Sequence, residues 1–307
     1  MTTPFVPDFE ALWDYDQPAE SEAAFRARLP QAQAAGDPSY HAQLLTQLAR
    51  AQGLQRNFEA AHSTLDQAQT ILSDELPQAR IRYLLERGRV FNSSGRPEEA
   101  RPLFLAAWEE GQAHQEDFYA IDAAHMLAII APPDQQLDWN LKALALVEQT
   151  SDARAAKWRG SLYNNIGWSY HQQGQYQQAL EMFEQALAAR QARGGLRNIL
   201  IAQWCVARAL RSLGQVEEAL SRQQALLRTY EESGERQDGY IYEELGECLL
   251  ALERPKEAQP YFALAHAALS RDPWLVAEEP ARLARLKQLG EENASPPPLD
   301  TTPDAGG

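Results

Sequence analysis

Two runs of arginine stand out in a chain whose formal charge at neutral pH is −15. Arg80, Arg82, Arg87 and Arg89 are relieved only by Glu86, and Arg190, Arg193, Arg197, Arg208 and Arg211 fill an interval from Glu184 to Glu217 that holds no acidic residue. Guanidinium groups gathered against an acidic background make local positive fields. They suit the carboxylates of an acidic peptide, a chain terminus or another small anion, each charge-assisted hydrogen bond contributing about 1.5–3 kcal/mol. The alternative use is internal: Arg89 can pair with Glu86, and Arg208 and Arg211 with Glu243, Glu244 or Glu247, in solvated pairs that are individually weak. A different chemistry is open to Asp122 and His125, three apart and so on one helix face, with Glu86 as a third group for a hydrolytic or metal site. Against it, His41, His62, His114, His125, His171 and His266 are scattered singly, without metal-ligand spacing. The sequence also lacks G-x-x-x-x-G-K-[ST], G-x-S-x-G, H-E-x-x-H and C-x-x-C motifs. The expectation is a protein that is not an enzyme and takes no cofactor or metal.

The negative balance bears on partners too, because it repels a phosphate backbone, and nucleic acid is not expected. A hydrophobic fraction of 44% is ample for a core, yet no apolar run approaches the roughly 20 residues that span a bilayer. No membrane partner is expected. The opening MTTPFVPDFE lacks the basic start and apolar middle of a secretory signal, which points to a cytoplasmic location. Cys205 and Cys248 both fall in helical apolar patterns, so buried free thiols are expected rather than a disulfide framework.

The elements that must position these side chains are clearest from Leu162 to Ala189, LYNNIGWSYHQQGQYQQALEMFEQALAA. Tyr163, Ile166, Gly167 and Tyr170 recur at i, i+3, i+4 and i+7 on one helix; Ala179, Phe183, Ala186 and Leu187 repeat that spacing on a second, after a turn at Gly174. Gly167 and Ala179 let two backbones approach while the aromatics fill the space around them. With Gly167 as marker, equivalent positions are Ala49, Gly88, Ala128 or Ala124, Ala207 and Gly246. Ala128 keeps the steps even at 39 or 40 residues, whereas Ala124 gives a gap-free match to the following helix. Twelve residues beyond the markers stand Ala61, Ala100, Ala179, Ala219 and Ala258, and four further on Leu65, Phe104, Phe183, Gln223 and Phe262.

This pattern resembles the tetratricopeptide repeat (TPR), W-x2-L-G-x2-Y…A-x3-F, as Tyr163-x2-Ile166-Gly167-x2-Tyr170…Ala179-x3-Phe183. Gln191 departs from the family, which often has a closing proline there. The resemblance covers about residues 18–270, and a step near 40 is similar to the long-helix TPR arrays of kinesin light chains and bacterial peptide-sensing regulators. It implies an all-α, right-handed superhelical solenoid of about six hairpins, with an N-terminal half-repeat and a C-terminal capping helix. The organisation expected is a cap at 1–34, an array at 35–270, a capping helix at 271–290 and a disordered tail at 291–307.

In such a solenoid the first helices line a concave groove, read at positions around each marker. That places Arg82, Glu86, Arg89 and Asn92 of the second hairpin in the groove, with Asp122 and His125 of the third. The fourth contributes Asn164, Asn165, Trp168 and His171, the fifth Trp204, Cys205, Arg208 and Arg211, and the sixth Glu243, Glu244 and Glu247 behind Tyr240. In peptide-binding TPRs an asparagine at the place of Asn165 often holds a ligand's main chain, since its amide donates and accepts; the bland use is to solvate the groove or tie helices together. Trp168 and Trp204 suit a clamp on an apolar side chain, or simply packing between repeats. The function implied is a scaffold or adaptor binding a protein or peptide, with an acidic segment in the groove. The alternative is a sensor subunit that takes a small anionic signal and acts through a partner protein. The sequence leaves the oligomeric state open.

At the ends, residues 1–16 read as irregular, with Phe5, Phe9, Leu12, Trp13 and Tyr15 packing down. Pro18, Pro97 and Pro255 are placed to open helices, where a missing N–H costs nothing. Ala131-Pro132-Pro133 should stop a helix, and Pro102 and Pro260 should kink theirs or delay their start. The last helix, opened by Pro280 and ended by Gly290, is expected to bury Leu283, Leu286 and Leu289 and to turn Arg282, Arg285 and Lys287 outward.

Overall fold

The computed structural model describes residues 9–235 and 239–291. Phe5 and the tail from 292 to 307 lie outside the described residues. Local chemistry sets where the helices begin. Pro18 opens α1 (Pro18–Ala35), and Asp37 caps α2 (Pro38–Leu54) by accepting from the Tyr40 amide. Asn57 does the same for α3 (Phe58–Gln69), leaving fewer orphan amides at each N-terminus. The chain continues through α4 (Pro77–Ser93), α5 (Pro97–Ala113), α6 (Asp117–Ile130) and α7 (Pro133–Gln149). After a 3-10 turn (Ala153–Trp158) come α8 (Arg159–Gln172), α9 (Tyr176–Arg193), α10 (Leu196–Ser212) and α11 (Val216–Ser233). The remainder is α12 (Tyr240–Ala251), α13 (Pro255–Leu269), α14 (Pro273–Glu278) and α15 (Pro280–Glu291). The described residues are all-α, with no strand.

Six helix pairs follow in chain order, α2/α3 to α12/α13, and each second helix starts nine residues beyond its marker. That offset decides the third register. Since α7 starts at Pro133, the marker is Ala124 and not Ala128, so the spacing is uneven: 36 residues from Gly88 to Ala124 and 43 from Ala124 to Gly167. The surplus is the 3-10 turn at Ala153–Trp158. Prolines behave as their positions dictate at α1, α5 and α13, each of which begins on one, and at Ala131, where α6 has stopped. Pro102 and Pro260 do not delay their helices, which begin five residues earlier at Pro97 and Pro255.

The chain divides into two compact units, Met1–Ser169 and Tyr170–Gly307. In the first, a Cβ placed on Gly88 would lie 2.5 Å from the Phe104 ring; in the second, one on Gly246 would lie 2.8 Å from Phe262. The missing Cβ is what admits the ring. Where the marker is alanine the partner sixteen residues on is smaller: Leu65 beside Ala49, Asn140 after Ala124 and Gln223 after Ala207. Asn140 and Gln223 are buried, and among the described residues Asn140 Oδ1 and both amide atoms of Gln223 have no hydrogen-bond partner.

The ends differ in detail from the sequence-based expectation. Residues 9–12 form a 3-10 turn, and Phe9, Leu12 and Trp13 pack on a cluster around Phe25, Leu44 and Leu48. The last helix buries Leu283 and Leu286, but Arg282 and Arg285 are not simply outward: Arg282 donates to Glu243 and Glu279, and Arg285 to Glu247. Carboxylates on the first-helix face of α12 draw them there.

Seven residues after the marker, the turns of five of the six hairpins hold a left-handed residue; the third has Ala131, at φ −74°. Gly95, Gly174 and Gly214 supply it, whereas Arg56 (φ 62°) and Glu253 (φ 57°) adopt it at a steric cost of roughly 1–2 kcal/mol. Arg56→Gly and Glu253→Gly should therefore each raise stability by about 1 kcal/mol, seen as higher urea midpoints. Unchanged or lower midpoints would contradict the turn assignment.

Candidate functional site

In the first unit the helical spacing of α2 sets Gln43, Gln47 and Arg50 on one face, and that of α4 sets Gln78, Arg82, Leu85 and Glu86 beside them. With Phe118, Tyr119 and Asp122 of α6 and Arg154 and Trp158 of the 3-10 turn, these residues line a cavity of about 490 Å³. Phe9, Glu10, Trp13 and Tyr15 cross it from the N-terminal side. The volume falls within the ordinary range for ligand sites.

Arg82 is distinct among the four arginines of its run. Arg80 pairs with Asp74 and Glu110, Arg87 with Asp66, and Arg89 with Glu86 and Asp122. Among the described residues Arg82 has no carboxylate partner: it donates to Gln43 Oε1 at 3.2 Å and Tyr119 Oη at 3.0 Å, and lies over the Phe9 ring at 4.9 Å. Arg89 serves the protein itself. Burial opposes its charge, but Asp122 and Glu86 outweigh burial and hold its pKa above the ordinary value. Glu86 accepts from Arg89 at 2.6 Å and Arg50 at 3.4 Å on Oε1, while Oε2 is buried without a partner among the described residues.

Beside this cluster, His125 Nδ1 is 3.3 Å from Asn165 Nδ2, and its ring faces Trp158 at 5.1 Å. Burial keeps its pKa below the usual histidine value, with Asp122 opposing and Arg89 adding to the effect. Asp122 and His125 are thus engaged with Arg89 and Asn165 respectively. Among the described residues no group of three His, Cys, Asp or Glu could hold a metal ion. Asn92, Asn164 and Trp168 are half-buried in the same unit.

The second unit turns its charges on one another. Arg211 grips Glu244 with two bonds, at 2.8 and 3.0 Å, and Arg208 reaches the same carboxylate at 2.9 Å. Arg208 also donates to Ser212 Oγ at 2.8 Å, which lies 2.9 Å from His171 Nε2. Glu243 and Glu247 are taken by Arg282 and Arg285. Trp204 lies in a separate apolar pocket of about 220 Å³ with Ile201, Tyr230, Tyr240 and Ile241. Cys205 and Cys248 are buried, and burial, with Glu244 beside it, pushes the Cys248 thiol up to about 12.

Of the residues expected in a groove, the structure brings Arg82, Glu86 and Asp122 to one cavity, with Arg89 joining the latter two. Arg50 and Gln47 were missed there, although they stand one after and two before Ala49, the offsets used for the other hairpins. Arg154 and Trp158 occupy no repeat position and carried no such signal.

Two measurements follow from this electrostatics. Arg89→Met leaves buried Asp122 without its cation and Glu86 with only the longer Arg50 contact, and should cost roughly 3–5 kcal/mol of stability, against under about 1 for Arg82→Met, by urea denaturation. His171 is held down to about 4, first by burial and then by Arg208 and Arg211. The unfolded ring titrates near 6.5, so the stability that neutral His171 contributes is present above that pH and lost as pH falls through about 4. The stability difference between wild type and His171→Gln should shrink from pH 7 to 4; a constant difference would exclude this role.

Residues 137–192 match the family model for the tetratricopeptide repeat. No curated protein matches the chain. Among solved structures, the apo form of RapI is similar at a TM-score of 0.69 and 13% identity, over 92% of this chain and 79% of that one. A signal-transduction ATPase with a tetratricopeptide repeat sensor from Pyrococcus horikoshii is similar at 0.66 and 16%, over 89% and 42%. NprR in complex with its cognate peptide NprX is similar at 0.56 and 17%, over 94% and 84%. Likeness at such identities speaks for the fold. Residues 137–192 carry the sequence signature of the tetratricopeptide repeat, and the chain has the helical-hairpin fold that it shares with these solved structures.

Proposed function

We propose that this chain is a non-catalytic scaffold for proteins or peptides, and that the first-helix face of its first unit reads an acidic segment. The observation that carries the reading is Arg82, a guanidinium on a cavity of ligand size with no carboxylate partner among the described residues, between the rings of Phe9 and Tyr119. Arg89, Arg208 and Arg211 are occupied within the protein, so Arg82 is the better hook for an incoming carboxylate. Asn165, held near His125, stands toward the ligand's main chain. Partner recognition of this kind needs neither cofactor nor metal, and the acidic body disfavours nucleic acid. Among the described residues no helix is long and apolar enough to cross a membrane. The likeness to NprR bound to a peptide supports a peptide partner.

The ligand-sized cavity also favours the second reading, a sensor subunit for a small anion acting through a partner protein, in keeping with the sensor region of the Pyrococcus ATPase. Binding of a panel of acidic and basic peptides, followed by fluorescence anisotropy at several salt concentrations, separates the two. Acidic peptides should bind, and Arg82→Ala should weaken them about 10-fold or more and flatten the salt dependence. Unchanged affinity in the variant would remove the proposed hook, and binding of citrate or phosphate but no peptide would favour the sensor.

A further inference from the structure

The residues that cross the cavity have the chemistry expected of its ligand. Phe9–Asp16 reads FEALWDYD, aromatics interleaved with acids; beyond its own 3-10 turn and the contacts of Trp13 with Phe25 and of Asp14 with Ser21 on α1, it reaches the first-helix face. Phe9 stacks on Tyr40 at 5.3 Å, and Trp13 Nε1 donates to Gln47 Oε1 at 3.0 Å. Arg50 lies over the rings of both Trp13 and Tyr15. Glu10 accepts from Lys157 at 2.6 and 2.8 Å, 147 residues along the chain. None of residues 9–16 is buried, and Tyr15 is 59% exposed. Half-exposed aromatic, cation–π and ion-pair contacts of this sort hold a segment in place without committing it there.

We infer that the face formed by α2, α4 and the 3-10 turn at Ala153–Trp158 is a docking surface for an aromatic–acidic peptide segment, occupied in the free protein by the chain's own residues 9–16. This rests on the peptide-binding reading above and names the partner's chemistry: aromatic side chains for Arg50 and Gln47, a carboxylate beside an aromatic ring for Arg82, and a carboxylate for Lys157. The resident segment and a partner segment compete for the same contacts, so the free protein binds a partner with an affinity reduced by the occupied fraction.

The test uses the full chain and a labelled peptide FEALWDYDQ, with binding followed by anisotropy. Trp13→Ser loosens the resident segment and should tighten peptide binding about tenfold over wild type, and adding Arg50→Ala should reverse the gain. Should Trp13→Ser fail to fold, Glu10→Lys, which places like charges at the Lys157 contact, should tighten binding threefold or more. Lys157→Glu in that background should return binding to the wild-type level or below. Equal affinity for wild type and loosened chain would overturn the competition while leaving peptide binding standing; no binding to either would overturn both. A gain accompanied by dimerisation in light scattering would assign the surface to a second copy and overturn the partner-peptide inference.

Discussion

A first helix and its second helix meet at one narrow place, and the other features depend on that contact. At Gly88 and Gly246 the absent Cβ admits a phenylalanine ring from sixteen residues on, as close as packing allows. Fixing that side of the first helix inward fixes the opposite side outward, because the helical period leaves no freedom between them. Gln43, Gln47 and Arg50 on α2, and Arg82 and Glu86 on α4, reach a shared cavity for this reason. Where the marker gains a methyl group the partner loses its ring, and the amides of Asn140 and Gln223 are left in the space with polar atoms unmatched. Size is conserved at that contact while polarity is not.

Charge is deployed differently in the two units. In the second, Glu243, Glu244 and Glu247 absorb Arg282, Arg208, Arg211 and Arg285, so that Arg208 and Arg211 of the arginine run seen in the sequence are spent inside the unit. In the first, Arg89 neutralises two carboxylates that would otherwise be costly to bury, which leaves Arg82 to face the cavity among aromatic rings. A net charge of −15 thus coexists with a cavity-lining guanidinium that has no carboxylate partner among the described residues. The distinction between a structural arginine and an available one lies in what surrounds it, not in its position on the helix.

Aromatic residues near the start of the chain pack partly into the base of α1 and α2 and partly across the first-helix face. Their double allegiance makes the segment part of the packing of the unit and part of the lining of the cavity. Contacts of Glu10 with Lys157 join the beginning of the unit to the 3-10 turn near its end, over a separation that no local pattern encodes.

Legibility followed the range of the interactions. Hairpin markers, proline starts and the ring-sized partners were readable because they repeat at fixed offsets and act between residues sixteen or fewer apart. The same offsets, applied to Ala49, would have exposed Arg50 and Gln47. The third register misled because even spacing assumes identical connectors, and the 3-10 turn at Ala153–Trp158 makes one of them longer. By itself the sequence determined the helical hairpins, the face each first helix turns inward, and the excess of arginine near certain markers, all of which are consequences of period and side-chain volume. Only the tertiary structure decided which guanidinium finds a carboxylate and which does not, because ion pairing depends on distances between helices about 33 to 39 residues apart that periodicity leaves unspecified.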